Sequence, residues 1–269
     1  MKSQTIFILS AFAFLASCEG KHDNKSKNNW VDKVVNKDSG PIRQKEVAGD
    51  FDKIEVSQAI KAEVIKSDVE KVVISAPESI IDEILVDNSG GSLHIHYKQG
   101  IRVMNNHNVS AKIYTRDFTK LNANSAASIT VKDKFIQDKT DIEVSSAASI
   151  TGDLEANDMD INVGSSSSFS GKIWAVDLDI EASSAGSISV SGKAKNADIS
   201  SSSGSSISAD GLIADHLKAE ASSGASVDIG ATSSIQAEAS SGGSVNVKKR
   251  GNVTSVSKEE SSGGSVNID

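Results

Sequence analysis

From Leu121 onward one apolar residue recurs at a nearly fixed interval, each time closing a string of small polar residues. The closing residues are Ile129, Ile150, Phe169, Ile188, Ile207, Val227, Val245 and Val266, spaced 21, 19, 19, 19, 20, 18 and 21 apart. The strings that precede them are near-copies: "NSAASI" at 124–129, "SSAASI" at 145–150, "SSAGSI" at 183–188 and "SSGGSV" at 261–266. A period near twenty residues marks one supersecondary unit per repeat, stacked on its neighbours. Six and eight residues before each closing residue stand further apolar or small residues, such as Ile142 and Val144 or Ala219 and Ala221. Two residues after it come Val131, Val190, Ile229, Val247 and Ile268. Polar residues such as Glu143, Asn162, Thr130 and Ser189 fill the places between. Each repeat therefore predicts a short alternating strand, a corner of small residues and a second alternating strand.

Copies of such a unit bury their apolar positions only by stacking in register. The prediction is an all-β fold: a right-handed parallel β-helix of about eight coils of 18–21 residues, right-handed because parallel crossovers are. At ~4.8 Å per rung the stack would be about 34 Å long. A leucine-rich repeat shares the period but needs several Leu per unit, and the calcium-binding nonapeptide roll needs G-G-x-G-x-D at shorter spacing; neither pattern occurs. In the last copy Lys258 and Glu260 stand where earlier copies have apolar or small residues, which predicts a terminal coil that blunts the open edge.

Before the repeats, residues 47–120 alternate at period two in "FDKIEVS", "AIKAEVIKS", "KVVISAP", "SLHIHYK" and "NVSAKIYT", with "NSGG" as a turn. "ESIIDEIL" at 78–85 fits one helical turn or an irregular strand equally well. The first residues are different again. Lys2, the apolar run Ile6–Ala16 and a small residue before Cys18 read as a signal segment, too short to span a bilayer comfortably. "LASC" at 15–18 resembles the lipobox of bacterial lipoproteins, in which Cys18, the chain's one cysteine, receives the lipid. The expected organisation is a signal peptide at 1–17, a lipidated Cys18 and polar tether at 18–46, and one domain at 47–269 made of the β-rich part 47–120 and the repeats 121–269. The 23 residues of the tether at 19–41, behaving as a coil, would span about 25 Å.

Composition sharpens the picture. Aromatics are 4% and prolines number two, which suits a thin core of Ile, Val, Leu and Ala. The net charge of −8 and the absence of a basic cluster argue against nucleic acid as a partner; "KKR" at 248–250 is too short to change that.

The lipobox, the opening "VAGDFDKIEVSQAIKAEVIKSDVEKVVISAP" and the "SSAASI"/"SSGGSV" coils together resemble the GIN-domain family of adhesins, also called auto-transporter adhesin head domains, over about 47–269. The resemblance implies a right-handed β-helix and an adhesive role at a Gram-negative envelope, and it brings no catalytic residues. An autotransporter would end in a membrane barrel of alternating strands; the sequence stops after its last coil, so attachment is expected through the lipid, most readily at the outer membrane.

Serine hydrolysis needs one Ser beside a His that a third group orients, and nothing singles out one Ser among so many. The serines read as structural corner residues, as in Ser125 and Ser128, Ser146 and Ser149, and Ser184 and Ser187. Some β-helices degrade polysaccharides, an alternative that calls for paired carboxylates or Ca²⁺ with a basic proton acceptor; no arginine lies between Leu121 and Lys249, and no long loops build a cleft. His94 and His96 share one strand face but lack a third metal ligand, and read as solvent-facing. The most informative polar feature is a column of acids: Asp141, Asp160, Asp179 and Asp198 in four consecutive coils, with Glu143 and Glu181 two positions on. It reads first as a solvated face, and second as a stripe for a basic partner or a weakly bound divalent cation. No other metal or cofactor is expected. The outward column Thr130, Thr151, Ser170, Ser189 would suit an ice-type surface but drifts to Asp228 and Asn246. The expected partners are the membrane through the lipid, a glycan or other envelope polymer, and a second copy of the chain at the exposed last coil. The expected function is a non-enzymatic, lipid-anchored envelope protein acting as an adhesin, binding surface or spacer.

Overall fold

The column of closing residues is the backbone register of the fold. In a computed structural model, which describes residues 33–35, 40–103 and 108–269, Ile129 pairs with Ile150, Ile150 with Phe169, Phe169 with Ile188, and so on up to Val245 with Val266. The signal segment, Cys18, His22, Trp30 and His107 lie outside the described residues. All the pairings of the repeat region are parallel, and the one helical element among the described residues is a 3-10 turn at Ile81–Glu83. The protein is an all-β solenoid of about eight turns, as the periodicity predicts.

Two strands per coil are distinct at first, as Lys120–Ala123 and Ser128–Val131. Later coils run almost unbroken from corner to corner, as in Ser168–Ala182 and Ser187–Ser201. Each coil contributes inward side chains to a single core in which Ile129, Ile142, Ile150 and Phe169 are fully buried, each such burial stabilising by about 1.5–3 kcal/mol. One ladder column reads Ile142, Ile161, Ile180, Ile199, Ala219, Ala237, Lys258. The core narrows from Ile to Ala along the stack and ends in a charge. Low aromatic content follows from this, since a core one side chain deep has room for few rings.

The corners explain the small residues. In each, four residues make a tight turn whose two central residues both have positive φ, as Ser125 (52°) with Ala126 (63°) and Ser146 (54°) with Ala147 (60°). The fourth N–H closes on the first carbonyl, Ala127 to Asn124 at 3.1 Å and Ala148 to Ser145 at 3.2 Å. This is a type I′ turn, which L-residues resist. The corners then bond to one another: the Ala126 N–H donates to the Ser146 carbonyl at 2.9 Å and the Ala147 N–H to Ser165 at 3.0 Å. Small side chains let identical corners stack at this distance.

The corner column continues below the periodic sequence. Gln58 and Ala59 adopt the same positive φ, and the Ala59 N–H donates to the Ser125 carbonyl at 2.8 Å. Lys53–Val56 and Lys61–Lys66 pair in parallel with Lys120–Ala123 and Ser128–Val131, and beneath them lie Ser92–Tyr97 and Ser110–Thr115. That end is closed by antiparallel strands, Lys71–Pro77 on Ser110–Thr115 and Ile42–Ala48 on Lys71–Pro77. "NSGG" makes the hairpin between Ile84–Ser89 and Ser92–Tyr97. The segment 78–85 contains both of the forms left open above, the 3-10 turn followed by the start of a strand.

Candidate functional site

The acidic column is in register. Asp141 pairs with Asp160, Asp160 with Asp179 and Asp179 with Asp198, and lysines bracket it, Lys120 below Asp141 and Lys218 above Asp198. The Lys139 ammonium stands 3.4 Å from Asp141 and 3.1 Å from Asp160, and its hydrogen bond to Asp160 leads the causes that push its pKa up. Lys218 reaches Glu220 at 2.9 Å and Asp198 at 3.2 Å, and these hydrogen bonds push it up to about 12. Asp179 has no such partner. Partial burial, then the charges of Asp198, Asp160 and Glu181, raise its carboxyl above the ordinary range. The second file is interrupted: Asn162 separates Glu143 from Glu181, and Ser200 separates Glu181 from Glu220. Glu143 is also held by Lys120 at 2.6 Å. Among the described residues no three His, Cys, Asp or Glu side chains converge as a metal-binding group.

The corner serines divide by position. Ser125, Ser146 and Ser184 occupy the first positive-φ site of their turns and are exposed. Ser128, Ser149 and Ser187 begin the strands that follow, and the Ser149 hydroxyl donates to Ser128 at 3.2 Å. Two others, Ser167 and Ser205, are buried where other corners have Ala or Gly. Ser167 Oγ donates to the Val144 carbonyl at 2.7 Å, and Ser205 Oγ accepts the Ser202 N–H at 3.0 Å.

His94 and His96 lie on the outer face of their strand, half-buried, while Leu93 and Ile95 face the core. The histidine rings stack with centroids 4.2 Å apart because both sit on one strand face against the Lys53–Val56 coil. His96 Nε2 bonds Asp87 at 2.9 Å, and His94 Nε2 lies 3.1 Å from Ser57 Oγ and 3.6 Å from Glu55. Ser57 and Glu55 thus meet the same ring nitrogen. A catalytic serine needs its acid on the opposite nitrogen, where it orients the base, so this trio does not form a triad.

The side between the second strand of one coil and the first of the next holds the feature that sequence reasoning missed. A groove of about 970 Å³ crosses several coils there, lined by Trp174, Lys172, Lys193, Lys134, Ile173 and Ile213 among others. Only short connections, at 132–134 and 152–153, contribute to it besides the strands. Its lining includes bare backbone at Gly152, Gly192 and Gly211 beside the side chains of Val131, Leu154, Ile173 and Ile213: a Cβ on Gly192 would run into the Ile173 carbonyl oxygen, and one on nearby Gly171 into that of Gly152. Trp174 stands 44% exposed, in register between Glu155 and Lys193. The sequence signal was there, since the aligned column is polar at Glu155 and Lys193, and a Trp among them has no place in the core.

The class of protein this defines is a parallel β-solenoid that presents outward columns of residues in register along its faces. The chain belongs to the family described as "Putative auto-transporter adhesin, head GIN domain", whose model matches residues 50–251. Crystal structures of similar proteins share the fold. A "putative adhesin" from Parabacteroides merdae is 19% identical with a TM-score of 0.79, over 88% of this chain and 99% of that one. A "putative adhesin" from Parabacteroides distasonis is 19% identical at 0.77, over 88% and 100%. A "putative lipid binding protein" from the same organism is 19% identical at 0.67, with the same coverage. No curated protein matches the chain. The family and these relatives are described as adhesins or lipid binders and not as enzymes. Among the described residues no helix is long and apolar enough to cross a membrane.

Proposed function

We propose that the protein is a non-enzymatic adhesin of the cell envelope, anchored by a lipid on Cys18 and presenting the solenoid to an extended envelope polymer or glycan. The observation that carries this reading is the register itself. Columns such as Thr130, Thr151, Ser170 and Ser189 repeat the same polar chemistry on successive rungs, ~4.8 Å apart, and a periodic face suits a periodic ligand. Family membership supports it. The acidic column supports no alternative chemistry, since Lys139 and Lys218 engage most of its carboxylates; a cation there would be a weak surface companion. The polar tether gives the head reach from the outer membrane, where the lipid would hold it.

The test has two arms. Labelling with a palmitate analogue and membrane fractionation should place the wild-type chain in the membrane fraction and the Cys18→Ala chain outside it. A glycan array probed with the detergent-solubilised full chain should return polymer ligands. An unlabelled wild-type chain would remove the anchor from the proposal, and an array without hits would remove the adhesive role.

A further inference from the structure

We infer that the groove beside Trp174 is the ligand site, and that it takes an acidic polysaccharide: pyranose rings carrying carboxylates. The inference rests on the adhesive reading above and gives it a place and a ligand class. Three independent features meet there. First, Trp174 lies open to solvent on a strand whose neighbours in the same column are charged. An indole face is a large, rigid apolar platform, and the C–H faces of a sugar ring are the apolar surfaces that fit it. Second, Lys172 and Lys193 flank that platform, Lys193 directly across the ladder from Trp174 and Lys172 two residues before it on the same face. Neither forms an ion pair among the described residues, and the acids nearby are each held by a partner of their own. Glu155 holds Lys134, Asp153 accepts the Lys172 backbone N–H at 3.0 Å, and Asp133 accepts that of Lys66 at 2.9 Å. Asp133 and Asp153 keep their charge, so the anion is favoured at the two free ammonium groups beside the indole and not along the whole groove. Third, the coils approach too closely to admit a Cβ at Gly192, which with Gly152 and Gly211 keeps the trough free of side chains at those rungs. The trough is open at the surface and extends across coils. Such a shape admits an internal stretch of a polymer, whereas a closed pocket would demand a chain end.

A lipid headgroup would share the anionic chemistry, but it would leave the trough unfilled along the coils. The probes are polygalacturonate, neutral dextran of matched length, and vesicles of phosphatidylglycerol in phosphatidylcholine, each presented to the full chain in affinity electrophoresis or flotation. Polygalacturonate should retard the protein and dextran should not, and retardation should weaken as salt rises. Trp174→Ala and the pair Lys172→Ala, Lys193→Ala should each weaken binding at least tenfold. Trp174→Tyr should restore most of the affinity, and Asp179→Asn on the acidic face should leave it unchanged. Unchanged thermal melting of the variants shows that the loss is one of binding.

Equal binding by the groove variants would overturn the inference while leaving the adhesive reading intact. So would array ligands that are all neutral, or flotation with vesicles in place of retention by the polymer. An array empty of all glycans would overturn both.

Discussion

Lys258 sits directly over Ala237 in the ladder, and Glu260 over Ala239. These are the positions that face the core in every lower coil. In the terminal coil they hold each other at 3.1 Å, and the Glu260 carboxylate also accepts the Val266 N–H at 2.7 Å. The backbone hydrogen bond leads the causes that lower the Glu260 pKa. A parallel stack has an open last edge by construction, and inward-pointing charge is one way to keep a second stack from adding to it.

Replacing both residues, Lys258→Ala with Glu260→Ala, restores the apolar repeat at that edge. The expected outcome is head-to-tail association, seen as a concentration-dependent rise in mass by sedimentation equilibrium, with the wild-type chain monomeric under the same conditions. Wild-type chains that associate end to end would show that the charged coil is no barrier.

The corners make a second prediction because Gly and non-Gly residues share one geometry. Gly224 has φ +72°, and a Cβ there meets nothing within 4 Å. Gly224→Ala therefore isolates the left-handed backbone penalty, about 1–2 kcal/mol, or a fall in melting temperature of roughly 2–8 °C for a domain of this size. Gly243 has ordinary φ, but its Cβ would run into the Ala221 carbonyl oxygen of the coil beneath. Gly243→Ala should exceed the first variant's loss, since the stacked corners must part. Thermal unfolding of the two variants side by side checks the order; the reverse order would mean that corner spacing is softer than the ladder bonds imply.

How far this was legible in advance follows from what a period can encode. Ile129, Ile150 and Phe169 announce the register because an inward residue must recur once per coil. The positive-φ corners are only half legible: Gly204 and Gly224 signal them, but Ser125–Ala126 adopts the same turn against its own preference, held by the stack. Trp174 and the groove escaped because a trough made partly by missing side chains leaves no motif, only glycines 19 or 21 residues apart. The pairing of His94 with His96 was visible as alternation, but their partners Ser57 and Asp87 come from other strands. That depends on which strand stacks beneath which, and the β-rich part lacks the repeat that would fix it.

Asp179 supplies a pH prediction. Its folded-state pKa lies above the ordinary carboxylate value, first through desolvation and then through the neighbouring acids. The native state thus binds its proton more tightly than the unfolded chain does. Between the ordinary value near 3.8 and the raised one, this group makes stability fall as pH rises. At neutral pH the repulsion is fully present, so Asp179→Asn should stabilise, by about 0.2–1 kcal/mol as for like charges facing across strands, and more at low than at high salt. Melting curves of both proteins at pH 7 and pH 3 should diverge at the first and approach each other at the second. A destabilised variant at pH 7 would mean that the carboxylate holds a counter-ion.

His94 titrates with the opposite sense. Burial is the main cause that lowers the His94 pKa from 6.5, with the His96 charge acting the same way and Glu55 and Asp87 opposing. The unfolded chain then takes up the proton first. Stability contributed by neutral His94 is complete above about 6.5, and it is lost as pH falls through the interval down to the lowered folded value. The loss should be local, because Ser92–Tyr97 lies in the outermost parallel layer, beneath Lys53–Val56, and only the hairpin strand Ile84–Ser89 holds its other edge. Amide exchange at pH 7.5 and pH 5.5 should show protection falling first in these strands while Ser187–Ser201, deep in the stack, holds. His94→Gln keeps a hydrogen-bonding group opposite Ser57 and removes the charge, so its exchange in this layer should lose the acid-dependent step. A step of undiminished size in that variant would show that it does not arise from His94.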